Sequence, residues 1–108
     1  MTPAELLEAA ADRLERDGWI QGHLWDNLGL RTAAEAHDAR PACCAIGAIE
    51  AEVGSSWSPD SARAEGVLEA HIPPGHPGVA SWNDKPSQTA ENVISTMRAA
   101  ARAARAKE

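Results

Sequence analysis

Seven residues near the middle of the chain, Cys43-Cys44-Ala45-Ile46-Gly47-Ala48-Ile49, constrain the fold more than any others. They put two thiols and a glycine into what the pattern predicts as the central helix. Pro41 suits a first helical position, where a missing N–H costs nothing, and Gly54 suits the residue after a last turn. The helix is therefore expected over 41–53. At about 3.6 residues per turn, Ile46, Ile49 and Val53 share one face and Cys44, Gly47, Ala48 and Ala51 share another. Only Glu50 and Glu52 remain, as a narrow polar strip. A helix that is apolar on two sides is buried on two sides. Gly47 costs about 1 kcal/mol relative to alanine inside a helix. The expected compensation is close approach of a neighbouring helix, the first or the last, against the small-residue face.

The other elements follow from their caps and periods. Thr2-Pro3-Ala4-Glu5 has a capping residue, a proline at the first position and a glutamate that completes a capping box. Leu7, Ala10, Ala11 and Leu14 then recur at helical spacing, and Asp17-Gly18 stops the helix, predicting residues 3–17. Residues 18–40 hold Trp19, Ile20, Leu24, Trp25, Leu28 and Leu30, interrupted by Gly18, Gly22 and Gly29. Such a segment is too apolar for a free loop and is expected to pack over the core as an irregular arm. Thr32-Ala33-Ala34-Glu35 predicts a short helical turn over about 33–38. Ser58-Pro59 starts a helix over about 59–70. Three prolines and two glycines make 72–78 a loop. Val79 to Trp82 fits either a short extended piece or a helical turn. A last helix begins near Ser87 or Thr89, with Ala90, Val93, Ile94, Met97, Ala101 and Ala104 inward.

The expected fold class is all-α: one small domain of about four helices, with the arm and the Pro/Gly loop, over residues 1–101. Residues 102–108 form a basic tail with too few large apolar groups to anchor it, and are expected to fray. The core is thin in large residues. The chain has 16 Leu, Ile and Val, four Trp, no Phe or Tyr, and 23 alanines. No apolar run is long enough to span a membrane, and no secretory signal opens the chain, so a cytoplasmic protein is expected.

Charge bears on partners. The chain carries a net −6, with residues 1–95 holding 15 acidic and 6 basic groups. That acidic bulk argues against nucleic-acid binding, which needs a basic surface. Arg98, Arg102 and Arg105 recur along the last helix and could hold an acidic partner or phosphates. More commonly such a stripe is a solvated face, well placed near a helix C-terminus.

The cysteines offer the sharpest chemistry. Thiols in a first helical turn feel the positive end of the dipole, and Arg40 is adjacent, so Cys43 or Cys44 could serve as a nucleophile. A base is then required. His23, His37, His71 and His76 are available, none at a diagnostic spacing, with Asp84 to orient one of them. The plainer reading makes Cys44 a small buried apolar residue and Cys43 a filler on the helix side, and it is preferred. Adjacent cysteines on a helix diverge, which disfavours a mutual disulfide. No pair of cysteines or histidines has zinc-ligand spacing on one rigid element, so no metal and no cofactor is expected. Gly18-Trp19-Ile20-Gln21-Gly22 could touch a ligand through Gln21 or His23 beyond it, since glycines let backbone come close. Asn83 and Asp84, after Trp82, could bind a substrate amide or orient a base. Their commoner use is to close a turn before Pro86.

Together, Gly18-Trp19-Ile20-Gln21-Gly22, Cys44-Ala45-Ile46-Gly47-Ala48-Ile49, Trp82-Asn83-Asp84, and Thr89 with Val93-Ile94 resemble, in order and rough spacing over residues 5–100, a family of small uncharacterised proteins. These are encoded by actinobacteria and their phages. The resemblance implies that Cys44, Gly47, Trp82, Asn83 and Asp84 are family-type positions, and it implies origin and architecture but no activity. The expected function is a small non-enzymatic binding or regulatory protein, phage- or mobile-element-derived, acting through contacts with an unidentified protein, a second copy of the chain included. The alternative is a thiol enzyme using Cys43 or Cys44 with a histidine and Asp84.

Overall fold

The computed structural model describes residues 1–26 and 29–107; Leu28, counted in the arm, and Glu108, counted in the tail, lie outside the described residues. The local start signals work as their chemistry requires. Helix α1 spans Pro3–Asp17. Thr2 Oγ1 accepts from the Glu5 N–H at 3.1 Å while the Glu5 carboxylate accepts from the Thr2 N–H at 2.8 Å. Thr32 caps α2 (Ala33–Ala39), Ser58 caps α4 (Pro59–Glu69) and Thr89 caps α6 (Ala90–Ala106). The 79–82 piece is helical, as part of α5 (Val79–Asp84). The fold is all-α, with six helices among the described residues rather than about four. Helix α6 runs on to Ala106, through the segment expected to fray.

Helix α1 is the axis of the domain. It packs along α6, α3 and α4. Leu6, Leu7 and Leu14 on α1 meet Ile49, Leu68, Val93, Met97 and the fully buried Trp82, with alanines filling the space between. Arg13, 2% exposed, enters this core and donates to the Glu52 carboxylate at 2.9 Å. Glu52 thus leaves the polar strip assigned to it and joins α1 to α3.

The central helix corrects the sequence reading. It is α3, Ala45–Val53, and starts four residues later than Pro41 suggested. The reason lies outside the helix. The backbone of 42–44 is taken up by the arm in an extended, ladder-like pairing. The Cys43 N–H donates to the Gly18 carbonyl (3.1 Å), Ile20 N–H to Cys43 (3.0 Å), Asp26 N–H to Ala42 (2.9 Å) and Cys44 N–H to Leu24 (3.1 Å). A peptide group that satisfies a remote partner cannot also serve a helix. Cys44 becomes the cap rather than a first-turn residue: its Sγ accepts from the Gly47 N–H at 3.3 Å.

Gly47 does need close backbone approach, but its neighbour is the arm and not a helix. A Cβ on Gly47 would sit 2.1 Å from the Leu24 carbonyl oxygen. The arm is held further by Trp25 Nε1, which donates to the Gly47 carbonyl at 3.2 Å. Gly47→Ala should therefore destabilise the protein by about 1–3 kcal/mol through overpacking, although alanine is the better helix former. Thermal unfolding checks this: a melting temperature equal to or above that of the parent would mean that the arm stands off from α3.

Candidate functional site

Three of the four ordered motifs, at 18–22, 44–49 and 82–84, meet in one place through hydrogen bonds. The side chain of Asn83, on α5 and 1% exposed, uses its whole capacity of two accepted and two donated bonds. Its Oδ1 accepts from Trp19 Nε1 at 2.8 Å and from the Ala45 N–H at 3.0 Å. Its Nδ2 donates to the Ile20 carbonyl at 3.2 Å and to Asp84 Oδ1 at 2.9 Å. Asp84 Oδ1 also accepts from the Gly22 N–H at 3.0 Å. Gln21 Nε2 reaches the carbonyls of Asn83 (3.1 Å) and Lys85 (2.8 Å). Gln21, Asn83 and Asp84 thus stitch the arm to α5 and to the start of α3. Asn83 closes no local turn; it is a cap supplied to α3 from another helix, satisfying the first of its free N–H groups.

The thiols are shielded. Cys43 is 1% exposed and its Sγ donates to the Pro41 carbonyl at 3.3 Å. Burial pushes the Cys43 thiol up to about 12, outweighing the opposite pull of Arg13. Burial likewise raises Cys44 to about 11, against the lowering effect of its hydrogen bonds from Gly47 and Ile46 N–H groups. One histidine shares a depression with a thiol: His23, Cys44 and Asp84 line a space of about 170 Å³ with Gly22, Leu24, Ile46 and Ala80. No hydrogen bond joins the Cys44 thiol to a histidine among the described residues. His37 pairs with Asp38, and His71 faces the Val67 carbonyl.

The basic stripe divides. Arg98 is bound to α1, donating to Asp12 at 2.9 Å and to Glu15, which raises its pKa, the Asp12 hydrogen bond first. Arg102 and Arg105 are exposed. No group of three or more His, Cys, Asp or Glu side chains placed to hold a metal ion occurs among the described residues.

A second depression adjoins the first, sharing Leu24 and Ile46 as a common wall. It encloses about 270 Å³ and is lined also by Glu50, Ser56, Trp57 and Glu65. Sequence reasoning missed these residues. Glu50 belonged to the narrow polar strip of the central helix, and it is only 7% exposed. Trp57 is 92% exposed and holds a left-handed backbone, φ 62°, which is rare for a bulky residue. Its one sequence signal is an aromatic placed among serines, with no periodic partner. Burial, and then the neighbouring Glu50 carboxylate, push Glu65 up to about 7. A groove of about 550 Å³ lies elsewhere, between α4 and the end of α6. It is mostly alanine, glycine and valine, bordered by Arg63, His71 and Lys107, and brings together no group of the motifs.

Asn83→Ala should cost at least about 2 kcal/mol, because it leaves buried partners of the amide unpaired. A denaturant midpoint within error of the parent would show that the network is dispensable. Glu65 generates a pH effect. Its folded pKa lies above the ordinary 4.5, so the folded state keeps the proton longer. The stability it contributes is complete below about pH 4.5 and is lost as pH rises through about 7. Glu65→Gln should remove that decline between the two values; an unchanged stability–pH curve would refute the assignment.

No curated protein and no solved structure matches the chain. A family model does, over residues 1–103, which takes in the whole of the stitched network and both depressions. The chain belongs to DUF6197, a family of unknown function.

Proposed function

We propose that this protein is a non-catalytic binding module that acts through contacts with another protein, using the face around Leu24, Ile46 and Trp57. Trp57 carries the reading. It is almost wholly exposed, it is held in a backbone conformation that costs of order 1–3 kcal/mol, and it borders a depression with apolar walls. Exposed aromatic groups beside such walls are typical of interaction sites. The residues with the best prior claim to chemistry point the other way: Asn83, Gln21 and Asp84 are engaged within the chain, and both thiols are buried and weakly acidic. An origin in actinobacteria and their phages forms part of the same reading, on the resemblance of the ordered motifs.

The thiol-enzyme alternative has one observation in its favour, the shared depression of Cys44, His23 and Asp84. Two measurements separate the readings. Alkylation of the folded protein at pH 8 should be far slower than that of a free thiol of pKa about 8.5; one fast thiolate titrating below that value would establish the enzyme instead. Trp57→Ala should change stability by no more than about 0.5 kcal/mol and abolish quantitative capture of a host protein that the parent retains. Equal capture by parent and variant would overturn the binding face.

A further inference from the structure

Helix α3 carries two glutamates whose situations differ. Glu52 has Arg13 at 2.9 Å. Glu50 is more than nine-tenths buried and no hydrogen bond or ion pair engages its carboxyl group among the described residues. It lines the depression of about 270 Å³ together with Glu65 of α4, the apolar Leu24 and Ile46, and Trp57. Two carboxyl groups thus border one small, partly apolar space with an indole at its edge, and no cationic side chain lines it.

We propose that this depression receives an arginine side chain from a basic segment of a partner protein, its guanidinium held by the Glu50 and Glu65 carboxylates and covered by the Trp57 ring. The proposal rests on the reading of this face as a protein-binding surface and names what it recognises. Charge complementarity selects a cation. The scarcity of ligands excludes a metal ion, since no group of three or more suitable side chains is present among the described residues. The aromatic edge and aliphatic walls select arginine among organic cations. Guanidinium is planar, weakly hydrated, able to stack on an indole and able to take two acceptors at once. Its methylene stem matches Leu24 and Ile46. Glu65 agrees with this: its carboxyl is raised by burial and then by Glu50, and a cation between the two relieves that opposition.

The test uses a blocked tri-arginine peptide as the probe, with its neutral tri-citrulline counterpart and free argininamide. Titrations are followed by calorimetry and by the indole N–H signals, with Trp57 assigned from a Trp57→Phe spectrum. The expected result is that tri-arginine binds and shifts the Trp57 signal, and that tri-citrulline does not bind. Glu50→Gln, Glu65→Gln and Trp57→Ala should each weaken binding about tenfold or more, while Glu69→Gln, an exposed acid on α4 outside the depression, should not. Circular dichroism checks that each variant is folded. The Glu65 and Trp57 variants change less-buried side chains and keep the test decisive if Glu50→Gln unfolds.

Equal affinity for tri-citrulline, or full affinity in the Glu65 and Trp57 variants, overturns the proposal. So does argininamide binding as tightly as the peptide, which would make the ligand a small molecule. Self-association that depends on Glu50 would also overturn it, because the occupant would then be the exposed Arg102 or Arg105 of a second copy. Loss of the peptide result with Trp57-dependent capture intact would remove arginine recognition alone and leave the binding function standing.

Discussion

The amide of Asn83 ties three separate stretches of chain into one geometry. It accepts from the indole of Trp19 and from the first N–H of α3, and donates to the Ile20 carbonyl and to Asp84. An amide has two donors and two accepting lone pairs, so nothing is left over for a ligand. Much else follows from this fixed point. The arm stays close enough to pair with 42–44, that pairing sets where α3 can begin, and the start of α3 places Gly47 against the Leu24 carbonyl. The core is built largely of alanine, whose packing is less specific than that of larger side chains. Directional bonds supply positional constraint that bulky side chains supply in other small domains.

What could be read from the sequence was local. The caps at Thr2, Thr32 and Ser58 depend on residues close in sequence and appear in the structure, and of the two starts open for the last helix, near Ser87 or Thr89, Thr89 is the cap. The stop at Gly54 is also local, a left-handed residue after the last turn. The start of α3 was not legible, because the competitors for its first peptide groups lie about twenty residues away in an arm without periodicity. Gly47 shows both sides of this. Its need for a close backbone neighbour could be read from its place in an apolar helix, but the identity of the neighbour could not. Arg98 likewise stands on the expected stripe, while its partners Asp12 and Glu15 sit on the other end of the chain.

The candidate site divided along the same line. Gln21, Asn83 and Asp84 were singled out as residues of unusual type at turns, and they do converge, but on one another. Their polarity is spent on joining backbone segments that no regular element joins. The cysteines were marked by a supposed place in a first helical turn. With Cys43 in an extended pairing and Cys44 as a cap, that premise is gone, and burial raises both thiols. Glu50 was hidden by helix arithmetic. Counting residues per turn gives the direction of a side chain, but not what a neighbouring loop or α4 lays over it.

Glu50 and Trp57 stand among the places where this fold leaves side chains unmatched, beside the buried Arg13 Nη1 and Trp82 Nε1. Glu50 has no cationic partner among the described residues, whereas two residues on, the same helix brings Glu52 to Arg13. A tryptophan in the left-handed region, almost fully exposed, wastes both backbone energy and apolar surface. Separately, either could be a tolerated defect. They border the same depression, however, and Glu65, opposed by Glu50, borders it too. On the proposed reading, a cation with a flat, weakly hydrated head would sit between the Glu50 and Glu65 carboxyl groups and against the Trp57 ring, leaving only the backbone cost of Trp57 unmatched.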